Sequence, residues 1–152
     1  MKLGEALSER ARLQKRISEL RSRISMSAAA QEDTTPPENA STLISEAETV
    51  HEALAVLIGR INHTNASTKF KKGTLTDALA ERDRLAGLIA TYKQAADAAQ
   101  GDTSAFRYMR SELKLTRHVD VKALHEKADK TSAKLRKLDN EIQVVNWATD
   151  LI

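Results

Sequence analysis

The sequence contains no cysteine and has few of the residues on which β-rich folds depend. Among its 152 residues are 5 Gly and 2 Pro, and aromatic residues make up 3%. Without cysteine the chain can form no disulfide framework, thiol nucleophile or cysteine-ligated metal site. β-Sandwiches and barrels need more aromatic and turn-forming residues than this. The shortages exclude these classes and favour a helical protein.

Charge of either sign is not in large excess. The 24 Lys and Arg against 21 Asp and Glu leave a net charge of +3, which demands no nucleic-acid partner. Hydrophobic residues, at 41%, suffice for a core, and the length suits one domain over residues 1–152. Glu5, Glu9 and Arg10 interrupt any early apolar run, and no stretch approaches the roughly 20 apolar residues of a membrane span. We therefore predict a cytoplasmic protein with no membrane span.

Four segments show helical periodicity, at residues 2–30, 41–62, 75–99 and 120–147. Their apolar residues recur alternately four and three positions apart, as in coiled coils. The first segment illustrates the pattern with Ala6, Leu13, Ile17, Leu20 and Ile24. A polar loop at residues 31–40 includes two prolines, which stop a helix. The pattern predicts a mainly α fold, an elongated antiparallel bundle or coiled coil of four helices with a small β insert.

Residues with short polar side chains mark the predicted helix starts. Ser41 is a candidate cap for the second helix. Thr74 precedes Asp77 by three positions, an acidic version of the capping box, so the third helix should start there. Asp120 is a plausible cap for the fourth.

Residues 106–119 alternate in the manner of a half-buried strand. Met109, Leu113, Leu115 and Val119 share one parity, and most of the intervening residues are polar or charged. A lone strand is unstable, so this segment needs a partner. Residues 67–70, a second possible strand, are one candidate partner, and the same strand of another subunit is the other.

The strongest signals for ligand binding are basic and polar clusters near these strands. The predicted ligand-binding residues are Asn62, Thr64, Asn65, Lys69, Lys71, Arg107, Arg110, Lys114 and Arg117. Paired strands would form a basic face with nearby aromatic residues, which could bind phosphate groups or single-stranded nucleic acid. The alternative is a sheet edge whose Lys and Arg prevent aggregation. Similarly, Asn62, Thr64 and Asn65 could satisfy free backbone groups at a helix end. Nucleic acid is thus a possible partner but not the favoured one.

Signatures of catalysis and cofactor binding are weak or absent. The four histidines, His51, His63, His118 and His125, lack the spacing of a helical zinc site. The sequence has no nucleophile elbow and no phosphate-binding glycine loop. We therefore predict no catalytic residue, no metal and no cofactor, although an enzyme remains an open alternative.

The long apolar stripes predict assembly into a homo-oligomer, because burying them more fully favours self-association. The residues predicted to pack in the core or at a subunit interface are Leu135, Leu138, Ile142 and Trp147. Leu135 and Leu138 are consecutive positions of the fourth stripe, so both should be buried. The lone Trp is expected to be a packing anchor.

Two parts of the chain resemble the septicolysin-like family of small bacterial proteins. The resemblance covers nearly the whole chain. The first part consists of Ile61-Asn62-His63-Thr64-Asn65 and residues 74–83, and the second consists of residues 110–112, 119–121 and 138–147. It implies a small helical protein from a mostly uncharacterised family. The family label suggests a cytolysin, but no residue of this sequence is tied to that activity.

Taken together, the residues predict a non-enzymatic, self-associating helical protein that acts as a scaffold or binding protein. The first alternative is a binder of nucleic acid or phosphate-bearing ligands that uses the basic strand. The second is an enzyme whose site is built at subunit junctions. The third, a cytolysin, is implied only by the family resemblance.

Overall fold

The computed structural model describes residues 1–101 and 116–152, and within them the fold is mainly α. The elements in chain order are α1 (Leu3–Ser27), α2 (Ala40–Ser67), β1 (Lys69–Phe70), β2 (Gly73–Thr74), α3 (Leu75–Ala99) and α4 (Val121–Ala148). This confirms the predicted mainly α class, with four helices and a small β insert in the described residues. The chain groups into two compact units, unit 1 (Met1–Lys69 and Val144–Ile152) and unit 2 (Phe70–Gln143). The single domain over residues 1–152 stays a prediction.

In unit 1, α1 and α2 pack antiparallel. Near the loop that connects the two helices, Arg23 forms an ion pair with Glu38. Further from the loop, Arg16 Nε donates a hydrogen bond to Glu46 Oε1 at 3.0 Å. Later residues of α1 therefore meet earlier residues of α2. The core between them consists of residues from the predicted stripes: Leu13, Ile17, Leu20, Leu43, Leu57 and Ile61. Burying one such side chain contributes about 1.5–3 kcal/mol, so this stripe is the main stabilising contact of the pair.

The predicted ends of α2 are wrong at both termini. Asn39, not Ser41, caps its start, because Asn39 Oδ1 accepts from Thr42 N at 3.1 Å. The helix continues to Ser67 instead of ending at 62. Hydroxyl groups in this extension donate to carbonyl groups one turn earlier, Thr64 to Arg60 at 2.8 Å and Ser67 to His63 at 2.9 Å. These bonds let polar residues lie in a helix where their composition indicated a loop.

The β insert is a hairpin of two short strands, β1 and β2. The predicted strand at 67–70 is therefore too long, because Ser67 belongs to α2 and only residues 69–70 are extended. Between the strands, Lys71 has a positive φ of 51°. A Cβ on Gly73 would lie 2.6 Å from Asp77 Oδ2, so a larger residue there would force this carboxylate to shift.

The predicted strand at 106–119 falls mostly outside the described residues. Its described end, residues 116–119, has no regular secondary structure, so that part of the prediction is wrong. The partner of β1 is β2, and the predicted pairing of 67–70 with 106–119 is not seen in the part of the chain that the structure describes. A two-residue turn brings β2 to β1 at little entropic cost, whereas a distant strand must close a long loop.

In unit 2, α3 and α4 run antiparallel. The centroid of the Tyr92 ring lies 6.0 Å from Lys127 Nζ. Earlier in α3, the hydrogen bond from Arg84 is the main cause that lowers the pKa of Glu81. The charge of Lys134, later in α4, lowers that pKa further. The described buried residues of this unit include Leu75, Ala78, Leu85, Ala96, Ala128, Leu138 and Ile142. Asp120 caps α4 as predicted, since its Oδ1 accepts from Ala123 N at 3.0 Å.

The predicted capping box at the start of α3 is present. The backbone N–H of Thr74 and its hydroxyl group each donate to Asp77 Oδ2 at 2.8 Å, while Asp77 N donates to Thr74 Oγ1 at 3.3 Å. The two bonds to the carboxylate, that from the backbone first, lower the pKa of Asp77 below its ordinary value of 3.8. The ionised carboxylate is thus favoured in the folded state.

The capping box makes a pH-dependent prediction. A lowered folded-state pKa means that the stabilisation is fully present above 3.8 and is lost as the pH falls through the folded pKa. We expect Asp77→Asn to lower the melting temperature at neutral pH, and the difference from wild type to shrink as the pH falls below about 4. Thermal melts followed by circular dichroism across this range check it. A difference that stays constant into strong acid would contradict the assigned role of the charge.

Candidate interaction surface

Asn62, Thr64 and Asn65, predicted to bind a ligand or to satisfy backbone groups, lie in the last turns of α2. Thr64 is 0% exposed, and its hydroxyl oxygen accepts from Ile152 N at 3.1 Å while donating to Arg60 O. Asn62 is exposed and Asn65 half-buried. Thr64 therefore holds the segment Thr149–Ile152 against α2, which is a structural role.

The predicted basic face is only partly within the described residues. Lys69 and Arg117 are exposed, whereas Arg107, Arg110 and Lys114 lie outside the described residues. Lys71 forms an ion pair with Glu141, and its Nζ lies 5.4 Å from the centroid of the Phe70 ring. These contacts fasten the hairpin to α4 and neutralise a charge that was counted toward the basic face.

The two ends of the described chain are joined within unit 1. Leu3 N donates to Thr149 O, and Leu151 N to Met1 O, both at 2.9 Å. The Lys2 ammonium group lies 2.9 Å from Asp150 Oδ1, and this hydrogen bond and charge lower the pKa of Asp150. This antiparallel bridge brings α1 and the end of α4 onto one surface.

Of the four predicted packing residues, Leu138 and Ile142 are buried, Leu135 is half-buried and Trp147 is 56% exposed. One face of the Trp147 ring lies directly on α1 at Gly4, where an added Cβ would be 2.8 Å from Trp147 Cδ2. Trp147 is therefore anchored on one side and presents much of its surface to solvent on the other. An exposed Trp of this kind is unusual on a free surface and frequent at interfaces.

Trp147 belongs to a set of exposed apolar residues concentrated in unit 1. Eight large hydrophobic residues are exposed in the described chain, and all but Val119 lie in this unit: Met1, Met26, Ile44, Val56, Val144, Trp147 and Ile152. Val56 and Val144 are the most exposed, at 66% and 70%. Three of them, Met1, Val56 and Trp147, line grooves, and exposed apolar residues grouped in this way are typical of interaction sites.

Two open grooves adjoin each other on unit 1. The α1–α2 groove, of about 620 Å³, has an apolar floor of Leu13 and Leu57, with Ala53 and Val56 on its wall and charged residues at its rim: Glu9, Arg12, Glu52 and Arg60. The Trp147 groove, of about 550 Å³, is lined by Met1, Trp147 and the polar side of α1. Glu9 and Arg12 line both, so the grooves form a continuous surface, which we call the α1–α2 face.

The charged residues of the α1–α2 face differ in their partners. Arg12 donates to both oxygens of Glu9, at 2.7 and 2.6 Å, which lowers the pKa of Glu9, so these charges neutralise each other. Glu52 forms no ion pair among the described residues. Among the described residues, Arg60 donates one hydrogen bond, from its Nε to Ile152 O at 3.1 Å. Glu52 and Arg60 therefore keep charge available for a partner.

Val56, Glu52 and Arg60 were not among the predicted site residues, because the predicted stripe of α2 passes through Leu54, Leu57 and Ile61. The available signal was Val56 itself, an apolar residue off that stripe with an acid one turn before it and a base one turn after. Such a residue indicates a second apolar contact on the outer side of a helix.

The described residues offer little that could carry chemistry. In residues 1–101 and 116–152, no three His, Asp or Glu side chains are grouped so that they could hold a metal ion. Over the same residues, none of the helices combines the length and apolar character needed to cross a membrane.

Comparisons with known proteins place this helical protein in a family. The model of DUF6847, a family of unknown function, matches residues 10–151, so the chain belongs to that family. The chain is similar to a solved structure described as a functionally unknown conserved protein from Corynebacterium diphtheriae, with a TM-score of 0.88 and 37% identity, over 100% of this chain and 99% of that one. No curated protein matches it.

The family match shows that the predicted septicolysin-like resemblance is wrong. The described stretches that carried it have structural roles that many helical proteins share. Residues 74–83 contain a capping box and the first turns of α3, and residues 138–147 are an amphipathic part of α4. Such patterns recur wherever a helix must start or pack, so they do not distinguish one family from another.

Proposed function

We propose that this protein is a non-enzymatic, self-associating helical protein that acts as a scaffold or binding protein. The observation that carries the proposal is the concentration of exposed large apolar residues on unit 1, with Trp147 and Val56 beside two adjoining grooves. Covering such residues on association contributes about 25 cal/mol for each Å² of apolar surface removed from water.

The α1–α2 face also has the composition of an interface. Trp and Met are enriched at interface centres, and a rim of charged residues is typical of contacts that form and dissociate. Here Trp147, Met1 and Val56 supply the apolar part, and Glu52 and Arg60 lie at the rim of the α1–α2 groove. The face therefore suits a contact with another folded protein surface.

Self-association predicts a mass above the 16.8 kDa of one chain. Size exclusion coupled to light scattering, run from low micromolar to near-millimolar concentration, should show the mass rising to a whole multiple of that value. A chain that stays monomeric over the whole range would contradict the proposal. As an independent readout, the emission of Trp147 should shift to shorter wavelength as the mass rises, because water leaves its exposed side.

The phosphate-binding alternative gains no support from the described residues. Of its described cations, Lys71 is paired with Glu141, and Lys69 and Arg117 are exposed. We therefore place the interaction on the α1–α2 face.

A further inference from the structure

One row of residues on the outer side of α2 is self-complementary in charge. Glu52, Val56 and Arg60 lie at successive intervals of four, so they form a single ridge along the helix surface. Val56 is at its centre, with the acid and the base about 6 Å away along the axis on opposite sides. All three border the α1–α2 groove.

A two-fold axis beside Val56 would match this row to a copy of itself. Antiparallel pairing reverses the order of the second row, so that Glu52 of one copy faces Arg60 of the other, and the reverse pair forms on the far side of the axis. Ridges of this spacing on two helices pack together at a crossing near 50°, the commonest class in globular proteins. In a two-fold contact each pair occurs twice, which doubles the effect of every charge.

The surroundings of the row favour close approach. Ala53 is small, and a Cβ placed on Gly59 would meet nothing within 4 Å. The groove of about 620 Å³ next to the row has an apolar floor, and it can receive Val56 and Ala53 of the facing copy. The exposed apolar centre and the two flanking charges thus fit one occupant, a second copy of the same surface.

We infer that the protein forms a two-fold dimer through α2, with Val56 beside the axis and Glu52 of each copy paired with Arg60 of the other. The inference rests on the proposed self-association and specifies its geometry. The interface is centred on the outer side of α2. In each copy, the floor of the α1–α2 groove receives Val56 of the other copy.

Charge reversal tests the pairing directly. Glu52→Arg alone places two bases opposite each other, and Arg60→Glu alone places two acids opposite each other, so each variant should dimerise at least about tenfold more weakly than wild type. In an equimolar mixture of the two, every facing pair is again opposite in charge, so the mixture should associate with near wild-type affinity. The double variant Glu52→Arg/Arg60→Glu should do the same. Glu32→Arg, in the loop between α1 and α2, is the control for Glu52→Arg, with the same change of charge.

The outcomes separate the two proposals. A monomeric wild type overturns both. A wild type that associates while the single variants associate equally well overturns only the α2 pairing. Single variants that weaken association without rescue in the mixture also overturn it, because their effect then comes from altered folding and not from facing charges. Circular dichroism of each variant measures that folding directly.

A second measurement uses the absence of cysteine from the chain. Val56→Cys introduces a single thiol next to the two-fold axis, where the two sulphur atoms can reach each other. Mild oxidation should yield a covalent dimer in high proportion. The control Ala86→Cys, on the exposed side of α3, should remain mostly uncrosslinked under the same conditions. Equal crosslinking of the two variants would overturn the assigned axis.

Discussion

Replacing Leu20 with alanine is expected to lower the free energy of unfolding by about 2–5 kcal/mol. Leu20 is 0% exposed and lies in the middle of the buried stripe of α1, facing α2. Removing its side chain deletes contacts with close-packed neighbours and leaves a cavity that helices held by the rest of the stripe can only partly fill. Urea unfolding followed by circular dichroism measures the loss.

The matched control for Leu20 is Ile44→Ala. Ile44 has a side chain of the same size on the partner helix, but it is 45% exposed. Its truncation should cost less than about 1 kcal/mol, because little transfer energy is lost and no cavity forms. Equal losses for the two variants would mean that the periodic stripe does not form the core of unit 1.

The second large effect is expected from Thr64→Val. Valine has nearly the same shape, so packing is kept, but the hydroxyl group that accepts from Ile152 N and donates to Arg60 O is lost. The N–H of Ile152 then loses its partner in a part-buried position that water can partly reach, at a cost of about 1 kcal/mol. Faster amide hydrogen exchange at Leu151 and Ile152, together with a lower melting temperature, is the expected result.

Thr49→Val provides the control for that prediction. Thr49 lies on the same helix and donates to the carbonyl group one turn earlier, Ser45 O at 3.1 Å, but it is exposed and accepts nothing from the segment after α4. Its replacement should leave stability within about 0.5 kcal/mol of wild type. If both variants lost the same amount, the bond from Ile152 N would contribute nothing, and the segment Thr149–Ile152 would be held by its other contacts, those with residues 1–3 and Arg60.

The bridge between residues 1–3 and 149–151 bears on the proposed function. It holds the end of α4 beside α1, and the Trp147 ring is thereby seated over Gly4 with its outer side exposed. An apolar surface assembled from distant parts of a sequence exists only in the folded chain. Self-association through the α1–α2 face would therefore require folding of unit 1 first.

Local sequence patterns determined much of this fold. Thr74 and Asp77 predict the start of α3, and Asp120 predicts that of α4, because capping bonds join residues three positions apart. The buried stripe through Leu13, Ile17 and Leu20 follows from helical geometry, in which residues three and four apart share a face. Each of these features depends on neighbours along the chain, so the sequence suffices to predict it.

Tertiary structure alone decided the rest. The segment after α4 is held against the end of α2 because Ile152 N donates to Thr64, and the hairpin is fastened because Lys71 pairs with Glu141. The exposure of Trp147 likewise depends on the bridge that seats it over Gly4. These partners are separated by long stretches of chain, and the energy of bringing them together comes from packing of the whole unit. Local sequence patterns do not reveal contacts between residues that are far apart in the chain. The α1–α2 face could therefore be identified only in the folded protein.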